Sequence, residues 1–400
     1  MRAVLTSVGT IGDVQPIFAL AVALATAGHH PVVALSPNYR ARAQQLGLPF
    51  KAIGPPMDEG VVRAGNIRFG SLATVAEQTH FFLETVAQCA QAMYHDLTAC
   101  CQGADVLISV PHQFVGRMVY DALGIPFVTV SLSYFGELGA ADLMAASAPV
   151  INGCRERAGL TALPDPLSRD GVSSQLALYA VSKRILKASA SWPKHRHVCG
   201  FFFLDEDWTP DPSLARFIES GDPPIVVSFS SMMHVDPASI GAALVAAGKQ
   251  VGRRMVIVGG WSGLDSQDMA TVNTFHLKGF VPHHWLFSRA CCIVHHGGAG
   301  TTAAALRAGA PSVVVPHFLD QPIWAELARG LGCAGAIIPF AQLTSDNLAT
   351  GIDTTLSSIR INATAKSVAN YIEQENGASV ACALIEEFVL CQHQQQQLNA

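Results

Sequence analysis

The sequence predicts an α/β protein built from two doubly wound domains, and three observations support that prediction. Short apolar runs alternate with helical segments between residues 3 and 131 and again between residues 225 and 315. Such alternation indicates βαβ units, in which parallel strands are covered by helices on both faces. The chain has 400 residues, too many for one ordinary core and suited to two domains of roughly 150–200 residues each. Residues 204–224, rich in proline and aspartate, separate the two series.

The first series opens with an apolar strand that leads into an amphipathic helix, and Gly28 stands where a helix C-cap is expected. Its elements are expected to be strands Ala3–Ser7, Pro31–Leu35, Val106–Val110 and Phe127–Ser131, helix Val14–Ala27, and a helix ending at Leu123. The second series is expected to hold strands Ile225–Phe229, Met255–Val258, Phe275–Lys278, Cys292–His295 and Ser312–Val315. Between residues 140 and 200 the pattern is weaker, because prolines interrupt the helical stretches.

These patterns define the expected domain limits. The first domain covers residues 1–205, a linker follows over 206–222, and the second domain covers 223–385. The C-terminal end, 386–400, contains the low-complexity tail QHQQQQLNA, residues 392–400, and this tail is expected to be disordered. Because doubly wound sheets bind ligands at the carboxyl ends of their strands, the two domains are expected to face each other across a ligand cleft.

Composition excludes several classes of protein. Half of the residues are hydrophobic and 14% are charged, which supplies a large core and excludes wholesale disorder. A formal net charge of −5, without a run of lysine or arginine, argues against nucleic acid as a partner. The first apolar run is too short for a signal peptide, and no stretch reaches the ~18–20 apolar residues of a membrane span. The ten cysteines lack CxxC spacing and are expected to be reduced thiols of a cytoplasmic protein.

The most informative stretch is Cys291–Gln321, in which an apolar strand ends in two histidines and a glycine-rich turn opens a helix. A metal site is one interpretation, but adjacent residues at a strand end point to opposite faces, so His295 and His296 do not easily share an ion. No metal site is therefore predicted. A plain strand–turn–helix connection, in which the glycines only permit the turn, remains a second interpretation.

The third interpretation is a phosphate-binding turn. Glycines let the backbone approach a ligand closely, and threonines offer hydroxyls at a helix N-terminus; these residues are Gly297, Gly298, Gly300, Thr301 and Thr302. The free N–H groups and partial positive charge of such a terminus suit a diphosphate, and a neighbouring histidine can donate a hydrogen bond or carry a positive charge. The next strand ends in PHFLDQ, whose adjacent carboxylate and carboxamide are suited to binding several hydroxyls of a sugar.

Two segments of this region, FVPHHWLF and VHHGGAGTTAAALRAGAPSVVVPHFLDQP, resemble the donor-binding segment of family-1 glycosyltransferases, which have the two-domain, Rossmann-like GT-B fold. The resemblance is to the branch that contains sterol glucosyltransferases and bacterial glycosyltransferases of antibiotics and other lipophilic aglycones. The segments SVGTIGDVQPIFALAVALATAGHHPVVA and PPIVVSFSSM are similar to that branch as well. The similarity covers nearly the whole chain, firmly over 1–50 and 222–345 and loosely between 55 and 200.

The resemblance implies roles for individual residues of the donor site. His296 corresponds to the histidine that contacts the diphosphate, and Asp320 and Gln321 correspond to the pair that binds the sugar hydroxyls. The phosphate-facing positions of the family correspond to Ser231, Gly298, Gly300 and Thr301. The positions that bind the base correspond to Phe280 and Val281, and Trp285 lies one helical turn after them. Two positions depart from many plant and animal members, Ala304 in place of a ribose-binding glutamate and Phe280 in place of a tryptophan, so the ribose contacts stay unassigned.

The chemistry of transfer to an alcohol requires a base, an aligned sugar carbon and stabilisation of the leaving diphosphate. Asp13 lies between the first strand and its helix, where members of this branch carry the proposed base; an N-cap role is the alternative. His112, after a later strand of the first domain, is the expected helper, with a core or turn histidine as the alternative. His80, on an expected helix, is a weaker candidate.

The acceptor pocket is the least defined part of the prediction. Aromatic residues of the first domain are candidate walls, although residues of this type are more often part of a core: Phe82, Phe114, Tyr134 and Phe135. The family implies a lipophilic alcohol such as a sterol, hopanoid, carotenoid or polyketide, and the sequence does not choose among them.

The expected function is inverting, metal-independent transfer of a hexose, glucose from UDP-glucose, to such an alcohol, without a cofactor. A TDP-deoxysugar-dependent antibiotic glycosyltransferase is the nearest alternative. An epimerase of a UDP-sugar with the GT-B fold and a non-catalytic nucleotide-sugar-binding subunit are further ones. The expected partners are a nucleotide sugar and a small lipophilic acceptor in the cytoplasm; peripheral membrane contact and the oligomeric state stay open.

Overall fold

The computed structural model describes residues 1–133, 141–188, 191–230, 232, 234, 236–259, 262, 264, 273–279 and 281–399. The chain forms two compact units. The first unit comprises residues 1–59, 72–204 and 375–400, and the second comprises residues 60–71 and 205–374. Among the described residues, no helix combines the length and the apolar composition needed to cross a membrane.

The strands of the described residues are short and mostly rich in valine, isoleucine and leucine. They are Arg2–Thr6 (β1), His30–Leu35 (β2), Phe50–Ala52 (β3), Val106–Ser109 (β4), Phe127–Ser131 (β5), Leu176–Tyr179 (β6), Arg196–Val198 (β7), Ile225–Ser228 (β8), Met255–Val258 (β9), Thr274–Leu277 (β10), Cys292–His295 (β11), Ser312–Val314 (β12) and Ala334–Ile337 (β13). Most of them are buried along their whole length, as expected for strands covered by helices on both faces.

The helices between the strands carry the covering apolar faces. They are Ile11–Thr26 (α1), Arg40–Gln45 (α2), Glu59–Ser71 (α3), Val75–Ala87 (α4), Ala90–Cys101 (α5), Phe114–Leu123 (α6), Ala141–Arg157 (α7), Pro212–Glu219 (α8), Pro237–Gln250 (α9), His283–Phe287 (α10), Ala299–Ala308 (α11), Gln321–Gly330 (α12), Ser345–Ser357 (α13), Ile359–Ile372 (α14) and Gly377–Asn399 (α15). Two 3₁₀ turns, Pro37–Tyr39 and Phe340–Gln342, complete the described secondary structure.

Each unit contains one parallel sheet. In the described residues the first sheet has seven strands in the order β3-β2-β1-β4-β5-β6-β7, and the second has six in the order β10-β9-β8-β11-β12-β13. Each sheet has a central pair of parallel strands, β1 with β4 and β8 with β11, and the strands that follow each member of the pair are added toward opposite edges of the sheet. Both orders are those of doubly wound sheets, so the predicted fold class is confirmed.

The predicted strands are all present, with ends that differ by no more than one residue from the observed ones. The first helix begins at Ile11 rather than Val14, because Thr10 provides its N-cap. Strands β3, β6, β7 and β13 were not predicted. Two of them have only three residues, which is too short to show a periodic pattern against their surroundings.

The C-terminal end differs from the prediction. The QHQQQQLNA tail, residues 392–400, was expected to be disordered, yet α15 continues to Asn399 and belongs to the first unit, so the second unit ends at residue 374 rather than 385. Three apolar side chains at helical spacing, Ala381, Ile385 and Val389, are buried in the same core as α1. The glutamine-rich run extends this helix, because glutamine is a good helix former.

The segment predicted as a linker, residues 206–222, belongs to the second unit and contains α8. Asp211 caps that helix by accepting a hydrogen bond from the Ser213 amide at 2.8 Å. The neighbouring Asp205 forms a bidentate ion pair with Arg307, both bonds 2.7 Å long, and the same guanidinium binds Glu373. Asp205, which immediately precedes this segment, is therefore tied to Arg307 of α11, which also binds Glu373 at the end of α14.

Candidate functional site

The first candidate site lies where β1 and β4 end, side by side in the first sheet. From β1 the chain passes to β2 on one side, and from β4 it passes to β5 on the other. Parallel α/β sheets open a crevice at the carboxyl ends of strands where the winding reverses. Asp13 follows β1 and His112 follows β4, so the fold brings together two residues that are 99 positions apart.

Asp13 is the third residue of α1, and its two carboxylate oxygens have different surroundings. Oδ2 accepts a hydrogen bond from the Thr10 amide at 2.8 Å, and Oδ1 lies 3.7 Å from Nε2 of His112. The N-cap residue is thus Thr10. Asp13 is the third helical residue, and its side chain accepts a hydrogen bond from the N-cap amide in a capping box. Gly9 has a φ of +120°, and a Cβ atom there would lie 2.3 Å from Oδ2 of Asp13, so the close approach of the backbone requires glycine.

The surroundings of Asp13 raise its pKa above the ordinary value of 3.8. Burial is the main cause, and it is opposed by the charge of His112 and by hydrogen bonds from Thr10. A carboxylate with a raised pKa is a stronger base than an exposed one. His112 also donates from Nε2 to the Val8 carbonyl at 3.2 Å, so it is attached to the loop that carries Asp13.

His80 is not part of this arrangement. On α4, its Nδ1 donates to the carbonyl of Ala146 at 2.7 Å, and its Nε2 lies 3.3 Å from Glu84 on the same helix. The hydrogen bond to Ala146 joins α4 to α7. Of the two predicted helpers, the structure places His112 beside Asp13.

The second candidate site lies where β8 and β11 end, the corresponding pair of the second sheet. His296 follows β11 and is buried, with a hydrogen bond to the backbone of Ser228 at the end of β8. Within the part of the chain that the structure describes, its Nδ1 atom is buried without a hydrogen-bond partner. Because buried polar atoms are nearly always hydrogen-bonded, an orphaned ring nitrogen at this position indicates a ligand site.

The glycine-rich turn positions the N-terminus of α11 at the same place. Gly298 is the N-cap residue, and no side chain caps the helix, so the first amides have no partner within it. The hydroxyl of Thr302 is also buried without a partner. Gly297 has a φ of +86°, and a Cβ atom there would lie 2.9 Å from the Gln321 carbonyl. The turn thus exposes backbone donors beside His296, which is the arrangement that binds phosphate groups.

The two histidines of the turn have different surroundings. Burial lowers the pKa of His296 to about 4 and that of His295 to about 3, so both rings are neutral near pH 7 in the absence of a ligand. Nδ1 of His295 accepts a hydrogen bond from the Gly297 amide at 3.2 Å and so holds the turn. Among the described residues, each ring keeps one buried nitrogen without a hydrogen-bond partner, Nδ1 of His296 and Nε2 of His295, and His295 in addition supports the backbone of the turn.

Asp320 and Gln321 follow β12, the next strand of the sheet, and the structure separates their roles. Oδ2 of Asp320 accepts a hydrogen bond from Nε1 of the buried Trp324 at 3.0 Å. Oε1 of Gln321 accepts from the amides of His317 and Phe318, at 2.8 and 3.3 Å, so this amide carbonyl holds the loop together. Asp320 is therefore held by a side chain of α12, whereas Gln321 is held by the backbone of its own loop.

Two further histidines near this loop were not predicted. His234 and His317 both stack on Phe340, at centroid distances of 5.0 and 4.1 Å, and the Nε2 atom of each is buried without a hydrogen-bond partner. Nδ1 of His317 donates to the Val315 carbonyl at 2.9 Å. The only sequence signal was the position of His317 inside PHFLDQ, since histidine in an apolar context is otherwise typical of a core.

The other predicted donor-site residues have mixed outcomes. Gly298, Gly300 and Thr301 lie at the start of α11 as predicted, and Val281 is buried next to α10. Trp285 is engaged by its own neighbours, with Trp208 at a centroid distance of 5.2 Å and the Arg289 guanidinium 4.4 Å from its ring. Four predicted residues lie outside the described part of the chain: Tyr134, Phe135, Ser231 and Phe280.

The two described acceptor-wall candidates differ from each other. Phe114 is 2% exposed and belongs to the core beneath the first sheet, which corrects its prediction as a pocket wall. Phe114 is the first residue of α6 and lies on the apolar face with which this helix packs against the core. Phe82 on α4 is partly buried, with its ring 6.2 Å from that of His112, and stays a candidate.

Comparisons with known proteins agree with this geometry. The family described as "Erythromycin biosynthesis protein CIII-like, C-terminal domain" matches residues 264–386. The chain is 28% identical to the O-mycaminosyltylonolide 6-deoxyallosyltransferase of Streptomyces fradiae, covering 97% of both chains. It is 29% identical to a sterol 3-beta-glucosyltransferase of Arabidopsis thaliana, covering 94% of this chain and 66% of that protein.

A solved structure of the glycosyltransferase VinC in complex with dTDP superposes with a TM-score of 0.73 at 19% identity, covering 97% of this chain and 99% of the other. This likeness shows the fold. In sequence, the chain is similar to glycosyltransferases of both the antibiotic and the sterol glucosyltransferase branches.

Proposed function

We propose that the protein is an inverting, metal-independent glycosyltransferase that moves a hexose, glucose from UDP-glucose, to a hydroxyl group of a lipophilic alcohol. One observation carries the proposal. Each sheet presents, at the strand ends where its winding reverses, one half of the chemistry that this reaction needs. At the first sheet, the Asp13 carboxylate has a raised pKa and lies beside His112. At the second sheet, the N-terminus of α11 has no side-chain cap, and a nitrogen of the neighbouring His296 has no hydrogen-bond partner among the described residues.

In the proposed reaction the proton of the acceptor hydroxyl passes to Oδ1 of Asp13, the oxygen that the helix cap leaves available. The acceptor oxygen forms a bond to C1 of the sugar as the bond from C1 to the diphosphate oxygen breaks. Attack opposite the leaving group inverts C1. The negative charge on the departing diphosphate is stabilised by the amides of α11 and by His296.

The similar proteins point to different sugar donors. One relative is named as a 6-deoxyallosyltransferase and another as a sterol glucosyltransferase, and VinC was solved with dTDP. Asp320, held by Trp324, offers a carboxylate to sugar hydroxyls, which favours a fully hydroxylated hexose. The alternative is a TDP-deoxysugar donor. A comparison of kcat/KM for UDP-glucose and for a TDP-6-deoxyhexose with one acceptor decides between them.

The test of function is incubation of the full chain with nucleotide-sugar panels and a library of lipophilic alcohols, followed by mass spectrometry. A product heavier than the acceptor by one hexose residue, formed only when acceptor is present, supports the proposal. Conversion of the nucleotide sugar without any acceptor would indicate an epimerase instead. Binding without turnover of any pair would indicate a nucleotide-sugar-binding subunit. The cytoplasmic location stays a prediction from the sequence.

The pH dependence of transfer tests the role of His112. The charge of His112 lowers the pKa of Asp13, so its removal raises that pKa further. Only the carboxylate form accepts the proton, and activity falls as the pH drops through this pKa. We expect the acid limb of the kcat/KM profile to move to higher pH in His112→Gln. In His80→Gln, which changes a histidine of α4 away from Asp13, the limb should not move. An unchanged limb in both variants would remove His112 from the site.

Trp324→Phe tests the positioning of Asp320. Phenylalanine keeps an aromatic ring in the buried position and removes the Nε1 donor to Oδ2. Without this donor the Asp320 carboxylate is no longer held in place for the sugar hydroxyls, so we expect the KM for the donor sugar to rise by up to roughly tenfold, the scale of one hydrogen bond to a charged group. UDP affinity should stay unchanged, because UDP lacks the hexose. Trp192→Phe, in the first unit against Tyr179, is the matched control. Equal KM values for both variants and the wild type would contradict this role.

A further inference from the structure

A second group of chemically reactive side chains lies in the first unit, apart from Asp13 and His112. His29 follows α1, and Cys382 and Glu386 are four residues apart on α15. Nε2 of His29 lies 2.6 Å from Oε1 of Glu386, and the Cys382 sulfur lies 4.0 Å from the same oxygen. The three donor atoms are all within 4.8 Å of one another. The His29–Cys382–Glu386 group therefore offers nitrogen, sulfur and oxygen donors around one point.

The surroundings of the group orient each donor. The terminal amine of Met1 lies 3.4 Å from Nδ1 of His29, which leaves Nε2 facing the helix. Cys382 is buried, and its sulfur also lies 3.9 Å from the Ala23 carbonyl. The spacing of four residues puts Cys382 and Glu386 on one face of α15, one turn apart. His29 and Glu386 are each partly exposed, so an ion can reach the group from solvent.

We propose that the His29–Cys382–Glu386 group is a zinc site that attaches the C-terminal helix to the end of α1. Thiolate, imidazole and carboxylate are the three ligand types of protein zinc sites, at about 2.0–2.3 Å from the ion. Ligands of one tetrahedral ion lie roughly 3–4 Å apart, so small side-chain adjustments bring these donors into position. A thiolate and a carboxylate supply two negative charges against the two positive charges of zinc, and water completes the fourth position.

The proposed site is structural and separate from glycosyl transfer. Its ligands come from the end of α1 and from α15, whose apolar residues already pack against α1. An ion here would cross-link residues more than 350 positions apart and would stabilise the packing of α15. The catalytic chemistry proposed above needs no metal, so loss of zinc should weaken the first unit and leave the chemical step intact.

Cobalt(II) titration of the metal-stripped full chain tests this site. A cobalt–thiolate pair gives an intense charge-transfer band in the near ultraviolet, which imidazole and carboxylate alone do not give. We expect the band to saturate at one cobalt per chain and to disappear when zinc is added. Cys382→Ser should abolish the band, and Glu386→Gln should weaken cobalt binding by at least about tenfold. Zinc should raise the Tm of the wild type but not of Cys382→Ser.

Cys391→Ser is the matched control, because Cys391 is an exposed cysteine on the same helix. It should keep the band and the zinc-dependent rise in Tm. A band lost in Cys391→Ser and kept in Cys382→Ser would show adventitious binding to the exposed thiol and overturn the proposal. The absence of a saturable band in the folded wild type would overturn it as well. Should Cys382→Ser fail to fold, Glu386→Gln, which keeps the buried thiol, decides the question.

Discussion

Asp13→Asn is expected to lower the rate of glycosyl transfer by about 10²–10⁴-fold while leaving UDP affinity unchanged. That range is the usual contribution of a general base, and the amide cannot accept the acceptor's proton. The substitution keeps the structure around it, since the amide oxygen can still accept the Thr10 amide that now binds Oδ2. Steady-state kinetics and UDP titration by calorimetry measure the two quantities.

The stability of this variant gives an independent check. Burial raises the pKa of Asp13 in the folded protein, so the protonated carboxyl contributes stability that is fully present below the unfolded pKa and is lost as the pH rises through the folded pKa. At neutral pH the Tm of Asp13→Asn should therefore equal or exceed that of the wild type. Glu387→Gln makes the same chemical change at an exposed position of α15 and should alter neither activity nor stability. Wild-type turnover in Asp13→Asn would eliminate Asp13 as the base.

His296→Ala is expected to weaken UDP binding by roughly 10- to 100-fold. A hydrogen bond to a charged group contributes about 1.5–3 kcal/mol, and the orphaned Nδ1 atom is the side-chain nitrogen left for the diphosphate. Transfer should fall at least as far, because the same group stabilises the leaving diphosphate. Calorimetric titration with UDP and kcat/KM for the donor measure the two effects.

The pH dependence of binding sharpens this prediction. One ring nitrogen of His296 already donates to the Ser228 carbonyl, and burial lowers the pKa of the free ring to about 4. Donation from Nδ1 therefore requires proton uptake when the diphosphate binds. Wild-type UDP affinity should rise as the pH falls, more steeply than in His296→Ala, whose remaining dependence comes from UDP itself. His284→Ala, a partly exposed histidine of α10, should behave as the wild type. Unaltered UDP affinity in His296→Ala would remove His296 from the phosphate site.

Local patterns in the sequence predicted much of the fold and part of the site. Strands such as Met255–Val258 and Cys292–His295 are apolar runs bounded by turn residues, and that signal is contained in a few neighbouring positions. The glycine-rich turn and the start of α11 follow from the same local logic, because a helix N-terminus needs only its own residues to present free amides. The resemblance of these motifs to a family then suggested the reaction.

Contacts between distant positions were decided by the tertiary structure. The sequence by itself determined the doubly wound class, the position of the turn and the choice of Asp13 and His296. The packing decided that His112 rather than His80 lies beside Asp13, that Gln321 holds its loop while Asp320 binds Trp324, and that α15 returns to the first unit beside His29. The physical reason is that the sheet order and core packing bring residues 99 to 357 positions apart into contact, and no local pattern encodes such distances.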